Sequence, residues 1–140
     1  CGPGRVTLPA ARRVGPTGEV VGLDIQEAML QRVQQKLDAQ NVTNVRLLRA
    51  GLGENQTEPA SFDRAFLVTV LGEIPDKAAA LREIYRALKP GGILSVTEML
   101  PDPDFQTPDT VRRLADETGF VEDRLLGGFP AFTINLLKVG

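Results

Sequence analysis

The chain opens with Cys1-Gly2-Pro3-Gly4 and continues into Arg5–Val14, where Val6, Ala10 and Val14 recur four residues apart. That spacing predicts a helix with one apolar face directly after a glycine-rich turn. Glycines at such a turn let the backbone approach a ligand closely and leave helix N–H groups pointing at it. The same short pattern is common in plain turns, so by itself it does not establish a binding site.

A carboxylate further along the chain strengthens the case for a ligand. The run Val20-Val21-Gly22-Leu23 predicts a short buried strand, and Asp24 closes it about 20 residues after Gly4. A carboxylate at that place accepts hydrogen bonds from both hydroxyls of a ribose. Asp24 can also cap the helix that begins near Gln26, and one side chain can serve both purposes. The turn, the helix and the acid together favour a nucleoside-binding site.

The rest of the chain alternates strands and helices. Helices are predicted over 26–39, 76–88 and 109–118, and strands over 45–48, 64–71, 93–97, 121–126 and 131–139. The continuous apolar run 64–71 is typical of a strand covered on both faces. The alternation predicts one α/β domain over residues 1–140, with a Rossmann-like, mostly parallel sheet, helices on both faces and a C-terminal antiparallel hairpin.

Composition narrows the function. The formal net charge is −2, so a nucleic-acid backbone is not the expected partner. The chain has one Cys and no His, and we therefore predict no metal site and no histidine base. No run approaches the roughly 20 apolar residues of a membrane-spanning helix, and a cytoplasmic location is expected.

The choice of nucleoside depends on Thr7. The dinucleotide fingerprint has a third glycine where this chain has Thr7, which disfavours a pyrophosphate ligand. The chain also has no Gly-x-x-x-x-Gly-Lys-Ser/Thr phosphate loop. A nicotinamide-dependent oxidoreductase remains an alternative, and Thr7 and the terminal hairpin argue against it.

The ordered set of motifs resembles the class I S-adenosylmethionine-dependent methyltransferases, of the small-molecule type related to ubiquinone and menaquinone biosynthesis. The resemblance covers essentially the whole chain. It is carried by Cys1-Gly2-Pro3-Gly4, Val21-Gly22-Leu23-Asp24 with Met29, Phe62-Asp63, residues 71–76, Leu88-Lys89-Pro90-Gly91-Gly92 and the terminal hairpin. Lys89-Pro90-Gly91-Gly92 is expected to stop a helix and turn the chain into the next strand.

The resemblance implies S-adenosylmethionine as cofactor, a small-molecule methyl acceptor as substrate, and a role for each matching residue. Cys1, Gly2 and Gly4 form the turn under the methionine part, and Asp24 holds the ribose hydroxyls. The adenine packs on Ile25 and Met29, its amino group lies near Gly51 and Leu52, and the backbone of Leu67 and Val68 meets the methionine amino group. Two departures stand out, since relatives usually carry an acid at position 51 and often a His or aromatic residue at Gly72-Glu73.

Methyl transfer from a sulfonium needs alignment and exclusion of water more than elaborate protein chemistry. Glu98 ends the predicted strand 93–97, and Glu73 follows the strand 64–71. Both are candidate catalytic bases, because ligands in open α/β sheets lie beyond the carboxyl ends of strands. For each of them, however, an ordinary solvated surface acid or a helix cap is the more common role. A third alternative is a protein that binds S-adenosylmethionine without catalysis.

The family resemblance also implies the strand order 3-2-1-4-5-7-6, whose central first strand would precede Cys1. Without it, two neighbouring strands would stand about 10 Å apart with buried, unpaired backbone groups. We therefore expect an upstream segment to supply that strand, so that the domain over 1–140 is N-terminally incomplete.

Overall fold

The computed structural model describes residues 4–140, so the predicted roles of Cys1 and Gly2 lie outside the described residues. Two compact units follow one another along the chain, the first ending at Gly51 and the second formed by Leu52–Gly140. Within residues 4–140, no helix has the length and apolar character that crossing a membrane requires.

The first unit contains two helices and a two-stranded parallel sheet. Its elements are α1 (Thr7–Val14), β1 (Val20–Asp24), α2 (Glu27–Ala39) and β2 (Val45–Arg49). The two strands run in register from Val20 opposite Val45 to Asp24 opposite Arg49. All four elements lie where the sequence predicts them, to within two residues at each end.

The buried face of α1 differs from the predicted one. Thr7 and Ala11 are buried, whereas Val6 and Val14 are 36% and 44% exposed. The series Val6, Ala10 and Val14 and the pair Thr7 and Ala11 each repeat every four residues, and they lie on neighbouring faces of the helix. The buried face is the one lined by Thr7 and Ala11.

Pro9 is the third residue of α1, within the first turn, where a proline is tolerated. Leu8 N and Ala10 N on either side of it donate to Gly4 O and Val6 O, so only one bond of the ladder is omitted.

The second unit contains a four-stranded sheet, two helices and a short 3-10 turn. Its elements are β3 (Phe62–Val68), the 3-10 turn (Leu71–Glu73), α3 (Lys77–Ala87), β4 (Leu88–Met99), α4 (Pro108–Thr118), β5 (Val121–Gly127) and β6 (Ala131–Leu137). The strand order is β3-β4-β6-β5, with β3 and β4 parallel and the other pairs antiparallel. The predicted α/β class and the terminal hairpin are confirmed.

The core of the second unit lies between this sheet and its helices. Alternate residues of β4 and β6 are fully buried, as the period of two requires: Leu94 and Val96 on one strand, Ile134 and Leu136 on the other. Helix α3 contributes Leu81 and helix α4 contributes Val111, both without exposed area.

Strand β3 ends earlier than predicted. Thr69 has a φ of +53°, which breaks the extended conformation, and its N–H still donates to Thr97 O at 2.9 Å. The apolar residues that follow form the 3-10 turn instead of strand. The expectation that both faces of this run are covered is wrong for Phe66, whose side chain is 52% exposed.

The segment Lys89-Pro90-Gly91-Gly92 lies inside β4, which begins at Leu88 rather than at Ile93, and it forms an irregularity in the register with β3. Gly91 has a φ of +82°, and its N–H donates to Lys138 O at 2.7 Å. The predicted stop of the preceding helix is confirmed, since α3 ends at Ala87.

Lys138 is a buried cation that the sequence pattern did not indicate. Its Nζ donates to Tyr85 O and Leu88 O, both at 2.8 Å, and lies 4.8 Å from the centroid of the Tyr85 ring. A positive charge at the carboxyl end of α3 interacts favourably with the helix dipole.

Each sheet has two edge strands with a single neighbour, and β1 and β3 are among them. Among residues 4–140, β1 pairs with β2 alone and β3 pairs with β4 alone. The strand expected from an upstream segment stays a prediction.

Candidate functional site

Gly4 lies directly ahead of α1 in the conformation that favours glycine. Its φ is +92°, and its carbonyl oxygen accepts a hydrogen bond from Leu8 N at 3.1 Å. A Cβ added here would lie 3.5 Å from Leu8 Cδ1 and 3.6 Å from Val33 Cγ2, which is ordinary van der Waals contact. The backbone conformation therefore requires glycine at this position, rather than any lack of space.

Asp24 is the last residue of β1 and is half-buried. Its Oδ1 accepts a hydrogen bond from Gln26 N at 2.9 Å, and its carbonyl oxygen accepts one from Ala50 N at 3.1 Å. The carboxylate thus orders the chain ahead of α2, but the predicted helix cap is wrong, because the N-cap residue is Gln26 and Asp24 accepts from the N–H of that residue. It also stands at the carboxyl end of a parallel strand, where ligands of α/β sheets bind.

Three other residues of the first unit that we predict to bind the cofactor follow the ends of β1 and β2 in the sequence. Ile25 follows Asp24 and is 64% exposed, and Met29 is half-buried in the first turn of α2. Gly51 comes two residues after the end of β2, beyond the buried Ala50. An exposed isoleucine beside a strand-end carboxylate offers an apolar surface for a flat ring. The carboxylate and the apolar side chain at this edge of the sheet therefore fit a ribose and a purine.

In the second unit, Leu67 and Val68 end β3, opposite Val96 and Thr97 of β4. Leu67 is 5% exposed and belongs to the core, so its side chain is committed to packing and only its backbone can serve a ligand. Leu52 packs partly buried against the same core.

The two candidate bases differ sharply in their surroundings. Glu73 ends the 3-10 turn and is exposed, which still fits an ordinary surface acid. Glu98 is 1% exposed, near the carboxyl end of β4. The surface-acid interpretation is therefore wrong for Glu98.

Only one of the two carboxyl oxygens of Glu98 has a hydrogen-bond partner among the described residues. Its Oε1 accepts a hydrogen bond from Gln106 N at 2.7 Å, whereas its buried Oε2 has no hydrogen-bond partner among the described residues. Burial raises the pKa of the Glu98 carboxyl above its ordinary value of 4.5, against the effect of the Gln106 amide, and the charge of Asp102 raises it further.

Glu83 is a functional candidate that the sequence analysis missed. It lies on the buried face of α3, 1% exposed, and accepts five hydrogen bonds from the loop after β2. The donors are Gly53 N at 2.7 Å, Asn55 N at 3.0 Å, Gln56 N and Thr57 N at 3.1 Å, and Thr57 Oγ1 at 2.7 Å. A glutamate between Ala80 and Ala87 on the apolar face is the sequence signal that would have found it.

The ionisation of Glu83 follows from these contacts. Burial alone would raise the pKa of its carboxyl, but the hydrogen bonds from Thr57 and from the amides of Gly53 and Asn55 outweigh burial and lower it. Glu83 is therefore a fully partnered anion that fixes the loop, in contrast to Glu98. In the described part of the chain, no group of three or more His, Cys, Asp or Glu side chains is placed to hold a metal ion.

Comparison with known proteins assigns the chain to a protein family. A methyltransferase domain family matches residues 1–92. The chain belongs to this family. The methyltransferase domain is 39% identical to demethylmenaquinone methyltransferase of Staphylococcus aureus strain JH9 over 98 residues, a match that spans 70% of this chain and 40% of that protein. The resemblance to class I S-adenosylmethionine-dependent methyltransferases is thereby confirmed, and the oxidoreductase alternative is not favoured.

Solved structures share the fold of the methyltransferase domain. The S-adenosylmethionine-dependent methyltransferase from Aquifex aeolicus matches with a TM-score of 0.90 at 20% identity, over 99% of this chain and 78% of that chain. The arsenic (III) S-adenosylmethionine methyltransferase from Chlamydomonas reinhardtii gives 0.79 at 23% identity, over 99% and 61%. The cyclase SpnF gives 0.85 at 17% identity, over 100% and 73%. These likenesses establish the fold alone, because one fold carries different chemistries.

The two buried glutamates predict a specific pH dependence of stability. Since the pKa of Glu98 is raised on folding, the native state binds its proton more tightly than the unfolded state does. Its contribution is fully present below pH 4.5 and is lost as the pH rises through the raised folded-state value. The contribution of Glu83 to stability depends on pH in the opposite direction. It is fully present above pH 4.5 and is lost as the pH falls through the lowered folded-state pKa.

Thermal unfolding from pH 4.5 to 8, with Glu98→Gln as the matched variant, checks this. We expect the melting temperature of the wild type to fall relative to that of Glu98→Gln as the pH rises. Parallel curves for the two proteins would contradict the prediction.

Proposed function

We propose that this chain is the cofactor-binding domain of an S-adenosylmethionine-dependent methyltransferase that acts on a small molecule. The observation that carries the proposal is the Asp24 carboxylate at the end of β1, followed by an exposed Ile25, in a chain of the methyltransferase domain family. A carboxylate in that place is suited to a ribose, and the neighbouring apolar surface to a purine.

The residues of the chain divide the work of binding. We assign Gly2 and Gly4 to the methionine part, Asp24 to the ribose, and Ile25 with Met29 to the adenine. Gly51 and Leu52 border the adenine amino group, and the backbone of Leu67 and Val68 meets the methionine amino group. When bound, the cofactor supplies an electrophilic methyl group on a sulfonium, so the chain has only to orient, exclude water and accept a proton.

The acceptor is proposed from the relative's name. Because demethylmenaquinone methyltransferase is 39% identical over the matched region, we propose a small aromatic or quinone-like acceptor of the same kind. The acceptor atom gains the methyl group as the carbon–sulfur bond breaks, and the proton it loses passes to a carboxylate. Exposed Glu73, just beyond the carboxyl end of β3, is the acid we assign to that step.

Calorimetry and an activity assay test the function in turn. We expect S-adenosylhomocysteine to bind and NAD not to bind, and we expect labelled methyl to move from S-adenosylmethionine to demethylmenaquinone in a small acceptor panel. Binding without transfer to any acceptor would favour a non-catalytic S-adenosylmethionine-binding protein. No binding of either nucleoside would contradict the proposal itself.

Replacing Asp24 with alanine is the site-directed test. We expect the Kd for S-adenosylhomocysteine to rise roughly 10- to 100-fold, since hydrogen bonds to a charged group are worth about 1.5–3 kcal/mol. Titration calorimetry measures the change. Asp24→Asn is the control, because it keeps an acceptor for Gln26 N but removes the charge. If Asn restores full affinity, the negative charge contributes nothing to ribose binding.

A further inference from the structure

The segment of residues 100–107, here called the strap, connects β4 to α4 in a folded conformation. Asp102 N donates to Met99 O at 3.2 Å, and Phe105 N donates to Asp102 O at the same distance. Asp102 Oδ1 accepts from Asp104 N at 2.8 Å. At its far end, Thr107 Oγ1 accepts from Thr110 N and caps α4. The strap is therefore internally ordered by its own hydrogen bonds.

Glu98 attaches the strap to the carboxyl end of β4. Its Oε1 takes the Gln106 N–H at 2.7 Å, the shortest backbone-to-carboxylate distance on this segment. Beside it, Phe105 packs edge-on against Phe132 of β6, with ring centroids 5.9 Å apart. One buried carboxyl and one aromatic contact thus hold the second half of the strap on the sheet.

At the neighbouring strand end, the strap packs closely against Gly72. This glycine lies in the 3-10 turn after β3, and a Cβ added there would stand 1.9 Å from Asp104 O. Such a distance is incompatible with any side chain, so the strap backbone rests directly on the turn. The strap consequently crosses the carboxyl ends of two adjacent parallel strands, where open α/β sheets bind ligands.

We propose that Glu98 is a positioning residue that holds the strap across the carboxyl ends of β3 and β4 as a wall of the acceptor site, and that it does not take the acceptor's proton. This inference rests on the proposed function for the nature of the ligand. A general base must be ionised and must reach the substrate within hydrogen-bond distance. Glu98 is 1% exposed and its near oxygen is already engaged by the strap.

The surroundings of Glu98 favour the protonated form. Its Oε2 is buried with no hydrogen-bond partner among residues 4–140, and an ionised oxygen in that state is costly. The charged group that faces it is Asp102 of the strap, which is also acidic, while β6 presents the apolar Phe132 opposite Glu98 in the ladder. A neutral carboxyl keeps the bond to Gln106 without a buried charge.

Three variants of the full-length enzyme separate a positioning role from a base. Glu98→Gln keeps an oxygen for Gln106 N–H, Glu98→Leu removes it at similar size, and Gly72→Ala pushes the strap from the other strand end. The measurements are hydrogen exchange of residues 102–106, kcat and KM with demethylmenaquinone, and calorimetry with S-adenosylhomocysteine. Glu117→Leu, an exposed glutamate on α4, is the control.

We expect Glu98→Gln to leave strap exchange protected and to lower kcat by less than about tenfold, against about 100- to 10,000-fold for loss of a general base. Glu98→Leu and Gly72→Ala should each speed strap exchange at least tenfold and raise the acceptor KM more than they lower kcat. A large kcat loss in Glu98→Gln with an unchanged strap would overturn the proposal, as would unchanged strap exchange in Glu98→Leu. Gly72→Ala keeps the test valid if Glu98→Leu does not fold.

Failure of the inference and failure of the proposed function give different results. Strap exchange responds to Glu98 whether or not methyl is transferred, so faster exchange without any transfer overturns the methyltransferase activity and supports the strap attachment. An active enzyme whose strap ignores both Glu98→Leu and Gly72→Ala overturns the positioning role and leaves the activity standing.

Discussion

Replacing Glu83 with alanine should lower the free energy of unfolding by about 3–5 kcal/mol. The substitution removes a buried carboxylate and leaves four amide N–H groups and the Thr57 hydroxyl without their acceptor. Each unsatisfied buried donor costs about 1–3 kcal/mol, although the loop can recover part of this by moving into water. The loop after β2 should therefore become mobile as the protein loses stability.

Chemical denaturation measures the loss, and hydrogen exchange of residues 53–57 localises it. Glu117→Ala on the exposed side of α4 is the matched control, with an expected change of less than about 0.5 kcal/mol. Glu83→Gln should fall between the two, because one oxygen remains to accept while the amide group faces the donors of Thr57. A Glu83→Ala protein as stable as the control would show that these hydrogen bonds contribute nothing.

Replacing Glu73 with glutamine should lower kcat by about 100- to 10,000-fold if this carboxylate takes the acceptor's proton. The side chain is exposed at the end of the 3-10 turn that follows β3, so it is accessible to a substrate there. Because glutamine has nearly the same shape as glutamate, folding and cofactor affinity should be unchanged. Its far weaker basicity is what should lower kcat.

Steady-state kinetics with demethylmenaquinone provides the measurement, with Glu117→Gln as an exposed control. Unchanged kcat in this variant would return Glu73 to the class of ordinary surface acids and would leave proton removal to water.

The parts of this structure set by short-range patterns could be predicted from the sequence. Asp24 stands at a strand end because an apolar run stops there and an amphipathic helix follows. Helix α3 begins after Asp76, whose side chain accepts from Ala79 N, and an aspartate ahead of an amphipathic run is a typical helix cap. Both depend on neighbours within a few residues.

The contacts that shape the site join residues far apart in the sequence, and no local pattern encodes them. Glu83 meets donors 26 to 30 residues earlier in the chain, and Lys138 meets Tyr85 O across 53 residues. Glu98 was predicted as a candidate base from its place at a strand end. Its burial depends on the strap and on β6, which only the folded chain brings to it.

The way Glu83 holds its loop has an evolutionary consequence. Four of its five hydrogen bonds come from main-chain N–H groups of residues 53–57. The identity of most side chains in this loop therefore does not affect these bonds. Homologous segments of equal length should thus be interchangeable by transplantation, provided the glutamate of the recipient helix is kept. Side chains in this loop can then diversify without loss of the scaffold.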